Sequence, residues 1–284
     1  VTRLTTDDVR DLTARLTAFE RDLVAACGLT LRELAQRTVD IDRVLPAAAA
    51  FPGLPATAAV PFDGARVAAV PVSQGEGLIP GFCACVVAIL RHLGCAARVT
   101  DLPDVRGLQE AAEGGDELVF LADDVRFVAL NIRSGACADD DPATADGYAT
   151  ALAAAAGGLS GRPVLLLGLG PVGRAAGRRL CALGADLCVV ERDQAAMERA
   201  RAGGLGFTAV DLAGGLARCD LVFDATPAAD IVHAGDLRAG AIAAVPGVPS
   251  GFDAGARARL GVRHIHEPLA VGVAVMAARA LTAR

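Results

Sequence analysis

The 284-residue sequence contains no lysine and no tryptophan, and one residue each of asparagine (Asn131) and tyrosine (Tyr148). All 27 basic residues are therefore arginine. Codon bias toward G and C is a sufficient cause. The chemical consequence stands regardless: a Schiff-base lysine, a P-loop lysine and a lysine general base are all excluded. A basic excess is also absent, with 33 acidic residues and a net charge of −6. Nucleic acid and anionic membrane surfaces are therefore not the expected partners. None of the eight cysteines forms a C-x-x-C pair. Most sit in apolar surroundings such as Leu187-Cys188-Val189, as reduced, small hydrophobes do. The apolar runs are broken by glycine or proline, and none reaches the ~18 residues of a spanning helix. Val1 to Asp8 is polar and acidic, unlike a secretory leader. The expectation is a cytoplasmic protein with a small-molecule substrate and no membrane or nucleic-acid partner. A homodimer is one arrangement open to it.

What is present is a core-forming composition, 53% hydrophobic and 21% charged. At roughly 150 residues per domain, the length allows about two domains. Thr5-Thr6-Asp7-Asp8 precedes apolar residues at Val9, Leu12, Leu16, Phe19 and Leu23, the pattern of a capped amphipathic helix ending near Gly28. A short helix over about 30–38 follows. Pro46, Pro52, Pro55 and Pro61 forbid a continuous helix over 45–61, which reads as a surface insertion.

Strand and helix then alternate. A strand over Val67–Val72 leads through Ser73-Gln74-Gly75 into a helix from about Pro80 to Leu93. Arg98–Thr100 ends a strand, Val105–Glu113 is helical, and the strand Leu118–Leu121 stops at Ala122-Asp123-Asp124. Asp139–Ala156 is a long helix closed by glycine. A second series starts with the strand Val164–Leu167 and continues with strands at Leu187–Glu191, Leu221–Ala225 and Ala241–Val245. Leu269–Leu281 is apolar on most sides, as a buried helix is. The pattern predicts an α/β fold with parallel sheets flanked by helices. The expected division is a substrate domain over 1–157, a dinucleotide-binding domain over 158–268, and a C-terminal helix over 269–284 packing back between them.

Gly168-Leu169-Gly170-Pro171-Val172-Gly173 follows an apolar strand and opens a helix. Its glycines allow a tight turn, close approach of pyrophosphate, and close helix-on-strand packing. Pro171 suits the first helical turn, and the helix N-terminus offers free N–H groups to phosphate. Glu191 ends the next strand, where a carboxylate accepts both ribose hydroxyls and repels a 2′-phosphate. NAD is therefore expected over NADP, with the adjacent Arg192 as the counter-signal. Asp224-Ala225-Thr226-Pro227 and Pro246-Gly247-Val248-Pro249 end later strands. They should line the crevice on the nicotinamide side. His264, His266 and Glu267 bring no third convergent ligand into view, so no metal is expected.

Taken together, Val70-Pro71-Val72, Asp101-Leu102-Pro103-Asp104-Val105, Ala122-Asp123-Asp124, the glycine turn, Ala225-Thr226-Pro227, Pro246-Gly247-x-Pro249 and Glu267-Pro268-Leu269 resemble the pyrrolysine-forming dehydrogenase family, the 3-methylornithyl-lysine dehydrogenases that act last in pyrrolysine biosynthesis. The resemblance covers about 1–35 and 65–284. It implies two Rossmann-like domains, each a mostly parallel sheet flanked by helices, with the active site in the cleft between them. It implies NAD⁺ as oxidant. The implied substrate is N6-(3-methyl-D-ornithyl)-L-lysine, oxidised at its terminal amine carbon, with release of ammonia and ring closure. Leu4 and Asp123 match positions that contact substrate in the family, and Asn131 matches an asparagine just beyond them. The loop after Val72 departs from the family pattern. Ser73 and Gln74 stand at the aligned positions, with Gln74 where a small hydroxyl residue is expected.

Hydride loss from an amine carbon needs the neutral amine, whereas a free primary amine has a pKa near ~10.4. Asp123, at a strand end, can hold the ammonium and take its proton. Asp124 points to the opposite side if the strand continues, so no carboxylate dyad is expected. The plain alternative for Asp123 is a turn residue. Shikimate dehydrogenase-like, ornithine cyclodeaminase-like and alanine dehydrogenase-like enzymes share the architecture but rely on a catalytic lysine that this chain cannot supply. Two other functions stay open: a different NAD-dependent amino-acid or amine dehydrogenase, and a non-catalytic NAD(H)-binding regulator.

Overall fold

A computed structural model describes residues 12–44, 59–75 and 80–283. Leu4, the predicted start of the first helix and most of the 45–61 segment lie outside them. The elements in order are α1 (Leu12–Cys27), α2 (Leu31–Val44), β1 (Arg66–Val70), α3 (Phe82–His92), β2 (Ala96–Val99), α4 (Asp104–Glu113), β3 (Leu118–Ala122), β4 (Phe127–Asn131), β5 (Cys137–Asp139) and α5 (Asp140–Ala155). They continue with β6 (Pro163–Leu167), α6 (Pro171–Ala182), β7 (Asp186–Val190), α7 (Gln194–Ala202), β8 (Thr208–Ala209), α8 (Leu212–Arg218), β9 (Leu221–Asp224), β10 (Ile242–Ala244), α9 (Ala254–Leu260), β11 (His264–Ile265) and α10 (Ala270–Thr282). Among the described residues, no helix is long and apolar enough to cross a membrane.

Two sheets form. The second, ordered β11-β10-β9-β6-β7-β8, is parallel throughout. Its central strand β6, Pro-Val-Leu-Leu-Leu, is apolar at every position because helices cover both faces. The first sheet, ordered β2-β1-β3-β4-β5, corrects the expectation of an unbroken parallel series. β1 pairs in parallel with β2 and β3, but β4 and β5 run antiparallel. The physical reason is the short connection. The residues between Ala122 and Phe127 are too few for a crossover helix, so the chain reverses in a hairpin. The second helix also runs on to Val44, beyond the predicted end near residue 38.

Helices α5 and α10 tie the sheets together. Almost every residue of α10 is buried, as its all-round apolar sequence requires. It packs on α2, α3, α5 and the antiparallel strands β4 and β5. In turn, α5 packs on α6 and on strands β9, β10 and β11 of the second sheet. The α5–α10 approach is close: a Cβ on Gly147 would lie 2.5 Å from Val271 Cγ1. Tyr148 on α5 donates its hydroxyl to the Glu267 carbonyl at 2.6 Å and accepts from the Glu267 amide at 2.8 Å. The buried Glu267 carboxylate caps α10 through the Leu269 and Ala270 amides and pairs with Arg15 of α1 at 3.0 Å.

A four-member ion cluster closes the same junction. Arg179 of α6 pairs with Asp42 of α2 and with Asp146 of α5, the latter at 3.1 Å. Arg279 of α10 pairs with the same two carboxylates. Breaking a buried pair from one side is costly because the remaining charge is left stranded. Asp42→Ala is therefore expected to lower the unfolding free energy by ~3 kcal/mol. Arg279→Ala should have a smaller effect, because the carboxylates it leaves are more exposed than Arg179, the cation that loss of Asp42 leaves short of charge. Denaturant titration of both variants checks the magnitude and the order.

Candidate active site

The strand β6 is followed by Gly168, at φ +87°, a backbone conformation that glycine adopts without strain. Gly173 packs against it, because a Cβ there would lie 2.1 Å from the Gly168 carbonyl oxygen. Pro171 occupies the first turn of α6, and Gly170 precedes it with no side-chain cap. Gly170 differs from the other two glycines. Its φ is an ordinary −61°, and a Cβ built on it meets nothing within 4 Å. The open space lies directly in front of the uncapped N–H groups of α6. That is the space a pyrophosphate needs.

At the end of β7, Glu191 Oε2 accepts from the Leu169 amide at 2.6 Å. Its Oε1 accepts from the Arg192 and Asp193 amides at 2.7 and 2.8 Å. The carboxylate is thus locked to the glycine turn, while the Arg192 side chain is exposed. At the end of β9, Asp224 is fully buried. It accepts from the Thr226 amide and hydroxyl at 3.0 and 2.7 Å and from the Gly251 amide at 2.9 Å. Burial raises its pKa against the lowering effect of these bonds. Asp224 holds the Thr226 and Gly247 loops in place. A Cβ on Gly247 would lie 2.3 Å from the Thr226 carbonyl oxygen.

The first sheet supplies an acidic edge. Asp123 is exposed at the start of the β3–β4 turn. Its Oδ1 accepts from the Val125 and Arg126 amides, both at 2.7 Å, and these bonds hold its pKa below the usual aspartate value. Because the chain turns here, Asp124 does not point to the opposite side as expected. Both aspartates line one cavity. Arg126 reaches across to Asp139 at 2.6 Å. Asp139 also caps α5 through the Asp141 amide at 3.1 Å. The next residue, Asp140, accepts from the Thr144 hydroxyl at 2.9 Å. Its pKa is pushed up to about 7, chiefly by burial. Asp141 is also raised, by burial first and then by Asp139.

These parts meet in a cavity of about 550 Å³, a common size for a small-molecule site. Asp123, Asp124 and Asp139 to Asp141 line one wall, and Gly170 to Val172, Ala225 to Pro227 and Pro246 to Val248 line the other. Of the predicted residues, Gln74, Asp123, Gly170, Pro171, Val172, Thr226, Pro227, Pro246 and Gly247 all line this cavity. Gly168, Leu169, Gly173 and Glu191 shape the turn behind it.

Two predicted contacts are not brought to the cavity. Asn131 is buried, donating to the Ala280 carbonyl at 3.0 Å and accepting from the Arg133 and Ser134 amides. Its side chain is consumed by the β4–β5 turn and the end of α10. The Ser73 hydroxyl and amide donate to Asp104, at 2.6 and 2.7 Å, so Gln74 takes the cavity-facing place. Sequence reading missed Asp139, Asp140 and Asp141 as site residues. Three adjacent acids at a helix start were the available signal, and they read equally well as capping. His264 and His266 lie outside the cavity: His264 Nε2 meets Ser250 Oγ at 3.2 Å, and His266 Nδ1 meets the Val245 carbonyl at 2.7 Å.

Fold and site together define a two-sheet α/β protein of Rossmann-like architecture, with a glycine turn opening α6. The fold is similar to quinate dehydrogenase from Corynebacterium glutamicum, solved in complex with NAD (TM-score 0.52, 14% identity, 78% of this chain and 94% of that one). It is also similar to shikimate 5-dehydrogenase from Thermus thermophilus, solved with NADP(H) and shikimate (TM-score 0.51, 18% identity, 76% and 93%). Residues 14–138 match the family described as pyrrolysine biosynthesis protein PylD, N-terminal domain. The chain is 33% identical over 211 residues to pyrrolysine synthase of Methanosarcina barkeri, covering 74% of this chain and 79% of that protein. It is 32% identical over 211 residues to the Methanosarcina acetivorans protein of the same name. The chain belongs to the pyrrolysine synthase (PylD) family.

The two inner glycines should separate binding from folding. Gly170→Ala is expected to leave the melting temperature unchanged and weaken NAD(H) binding by about tenfold or more, since its methyl enters the open space before α6. Gly173→Ala should lower the melting temperature as well, because its methyl meets backbone. Calorimetric titration with NADH and thermal melts distinguish the two.

Proposed function

We propose that this protein is an NAD-dependent dehydrogenase that oxidises the terminal amine carbon of N6-(3-methyl-D-ornithyl)-L-lysine, with ammonia release and ring closure to pyrrolysine. The observation that carries the reading is one cavity shared by the dinucleotide turn and an acidic wall. Among the described residues, five aspartates and a single arginine are the charged groups lining it. Such a wall favours a substrate bearing several ammonium groups. The missing lysine agrees, since the proton chemistry must then fall to carboxylates.

The residues fit the cofactor. The open space at Gly170 and the N-terminus of α6 would hold the pyrophosphate. Glu191, a fixed carboxylate at the end of β7, would accept the adenosine ribose hydroxyls and disfavour a 2′-phosphate, so NAD is the expected form. Thr226, Pro227, Pro246 and Gly247 would border the nicotinamide. When bound, the oxidised nicotinamide supplies the hydride acceptor.

The protein's own groups bind and orient the substrate. Asp123 stays ionised, because its two backbone bonds stabilise the anion, and it would hold the substrate ammonium. Phe82, Phe120 and Phe127, packed with centroids 5.2 and 5.9 Å apart, give the cavity an apolar floor for the methylene chain. Loss of hydride from the neutral amine carbon leaves an imine. The free α-amine of the ornithine part can attack it, forming the ring as ammonia leaves. On this reading, 1–157 is the substrate-side unit and 158–268 binds the dinucleotide, with 269–284 packed at their junction.

Gln74 favours a second reading. It lines the cavity where the family pattern has a small hydroxyl residue, which would suit an amine dehydrogenase with a different distal arm. The test is NAD⁺ reduction with ε-N-(D-ornithyl)-L-lysine and its 3-methyl analogue, with the product mass determined. NADH appearance with loss of ammonia and two hydrogens is expected. NADH binding without turnover on either compound would overturn the substrate assignment, and a panel of other amino-acid amines would then test the second reading. Asp123→Asn should lower kcat/KM at least about 100-fold with NAD affinity unchanged. An unchanged kcat/KM would remove Asp123 from the site.

A further inference from the structure

Asp123 is the carboxylate that the sequence singles out, but its surroundings suit an anchor better than a base. Its Oδ1 is occupied by two backbone N–H groups and its side chain is exposed. Both features stabilise the anion and weaken its pull on a proton. Asp140 on the same wall is differently placed. Among the described residues, its carboxylate has one hydrogen-bond donor, the Thr144 hydroxyl. The backbone of α10 presses against it: a Cβ on Gly272 would lie 2.4 Å from Asp140 Oδ1 and 2.3 Å from Thr144 Oγ1. Glycine at 272 therefore lets α10 close over the carboxylate from behind, while Asp140 keeps its edge on the cavity.

No cation is bonded to Asp140 among the described residues. Arg126, the arginine of the cavity, is paired with Asp139 instead. Among the described residues, the other charged and titratable groups on elements packed around the start of α5 have the following partners and places. Asp139 caps α5, and Asp141 is a second acid on the first turn. Tyr148 and Glu267 bond each other through hydroxyl and backbone, and Glu267 pairs with Arg15. On α6 the Arg174 guanidinium donates to the Leu169 carbonyl at 2.9 Å. Arg179 and Arg279 are held by Asp42 and Asp146. On the second sheet, His266 is bonded to the Val245 carbonyl.

We propose that Asp140 is the group that takes the proton from the substrate ammonium, while Asp123 remains ionised as its anchor. This rests on the amine-dehydrogenase reading above and divides between two residues the work first given to one. In the step, one N–H bond of the ammonium breaks and one O–H bond forms on Asp140. The electron pair stays on nitrogen, which then drives hydride loss to the nicotinamide oxidant. Burial raises the carboxylate to about 7, close to where a general base works at neutral pH. Thr144 is a positioning residue, since its hydroxyl bond favours the ionised form.

The experiment compares Asp140→Asn, Asp123→Asn and Thr144→Val. In Asp140→Asn, kcat should fall about 10²- to 10⁴-fold with KM and NADH binding little changed. The acid limb of kcat/KM near pH 7 should vanish. Asp123→Asn should keep that limb and lose mainly in KM. Thr144→Val should move the limb to higher pH, because the carboxylate loses the bond that favours its charge. An Asp140→Asn enzyme that keeps the wild-type kcat and limb overturns the proposal, as does loss of the limb in Asp123→Asn.

A second readout needs no turnover. The folded-state pKa of Asp140 lies above its unfolded value, so its charge costs stability fully above pH ~7. That cost shrinks as pH falls and is gone below about pH 4. Asp140→Asn should therefore melt higher than wild type at pH 8, and the difference should close toward pH 4. If the wild type proves inactive on the ornithyl-lysine compounds, the substrate reading fails. The melting comparison then decides whether Asp140 is the raised carboxylate: no stabilisation at pH 8 overturns it.

Discussion

The structure depends on the close contact between the C-terminal helix α10 and helix α5. Small residues make it possible, above all Gly147 and Gly272, where an added methyl would strike the opposite helix or the side chains it carries. The contact does three things at once. It completes the apolar core behind the first sheet, through a helix buried on nearly every side. It places Glu267 where its backbone meets the Tyr148 hydroxyl and its carboxylate caps α10. It also covers Asp140 from behind, leaving a carboxylate short of solvent at the edge of a cavity.

Helix α5 is the pillar shared by both halves of the molecule. It begins at the acidic wall, packs on α10, and continues against α6 and the parallel strands of the second sheet. The Arg179–Asp42–Asp146–Arg279 cluster pins that arrangement with side chains from four helices. Buried ion clusters add less net stability than their geometry suggests, because desolvation offsets attraction. Their clearer effect here is to penalise any other docking of the helices. The register of the acidic wall against the glycine turn then follows from helix packing.

Some of the molecule was legible in the sequence. The glycine turn, its flanking strand and helix, Glu191 and the Thr226–Pro227 and Pro246–Gly247 loops are local signals: each is a backbone requirement met within a few residues. The parallel strands were legible because burial on both faces demands apolar runs. The antiparallel β4 and β5 were missed. Phe127-Val128-Ala129-Leu130 is short, and only the brevity of the preceding turn forces it to reverse direction. Asn131 matched a family position and Ser73 stood in the loop aligned with a substrate contact, yet their side chains are spent on the Ala280 carbonyl and on Asp104. Those partners are remote in sequence, and neither pairing has a local signature.

By itself the sequence determined the fold class, the glycine turn and the exclusion of lysine chemistry. These depend on periodicity, on glycine stereochemistry and on which side chains exist at all. Only the tertiary structure decided which acids work together. Asp123 and Asp140 belong to different elements, and their contrast arises from surroundings: two backbone N–H groups hold one as an anion, while a helix from the far end of the chain desolvates the other. A pKa is set by what lies within a few ångströms in space, and for Asp140 that includes Gly272 of α10, more than a hundred positions away.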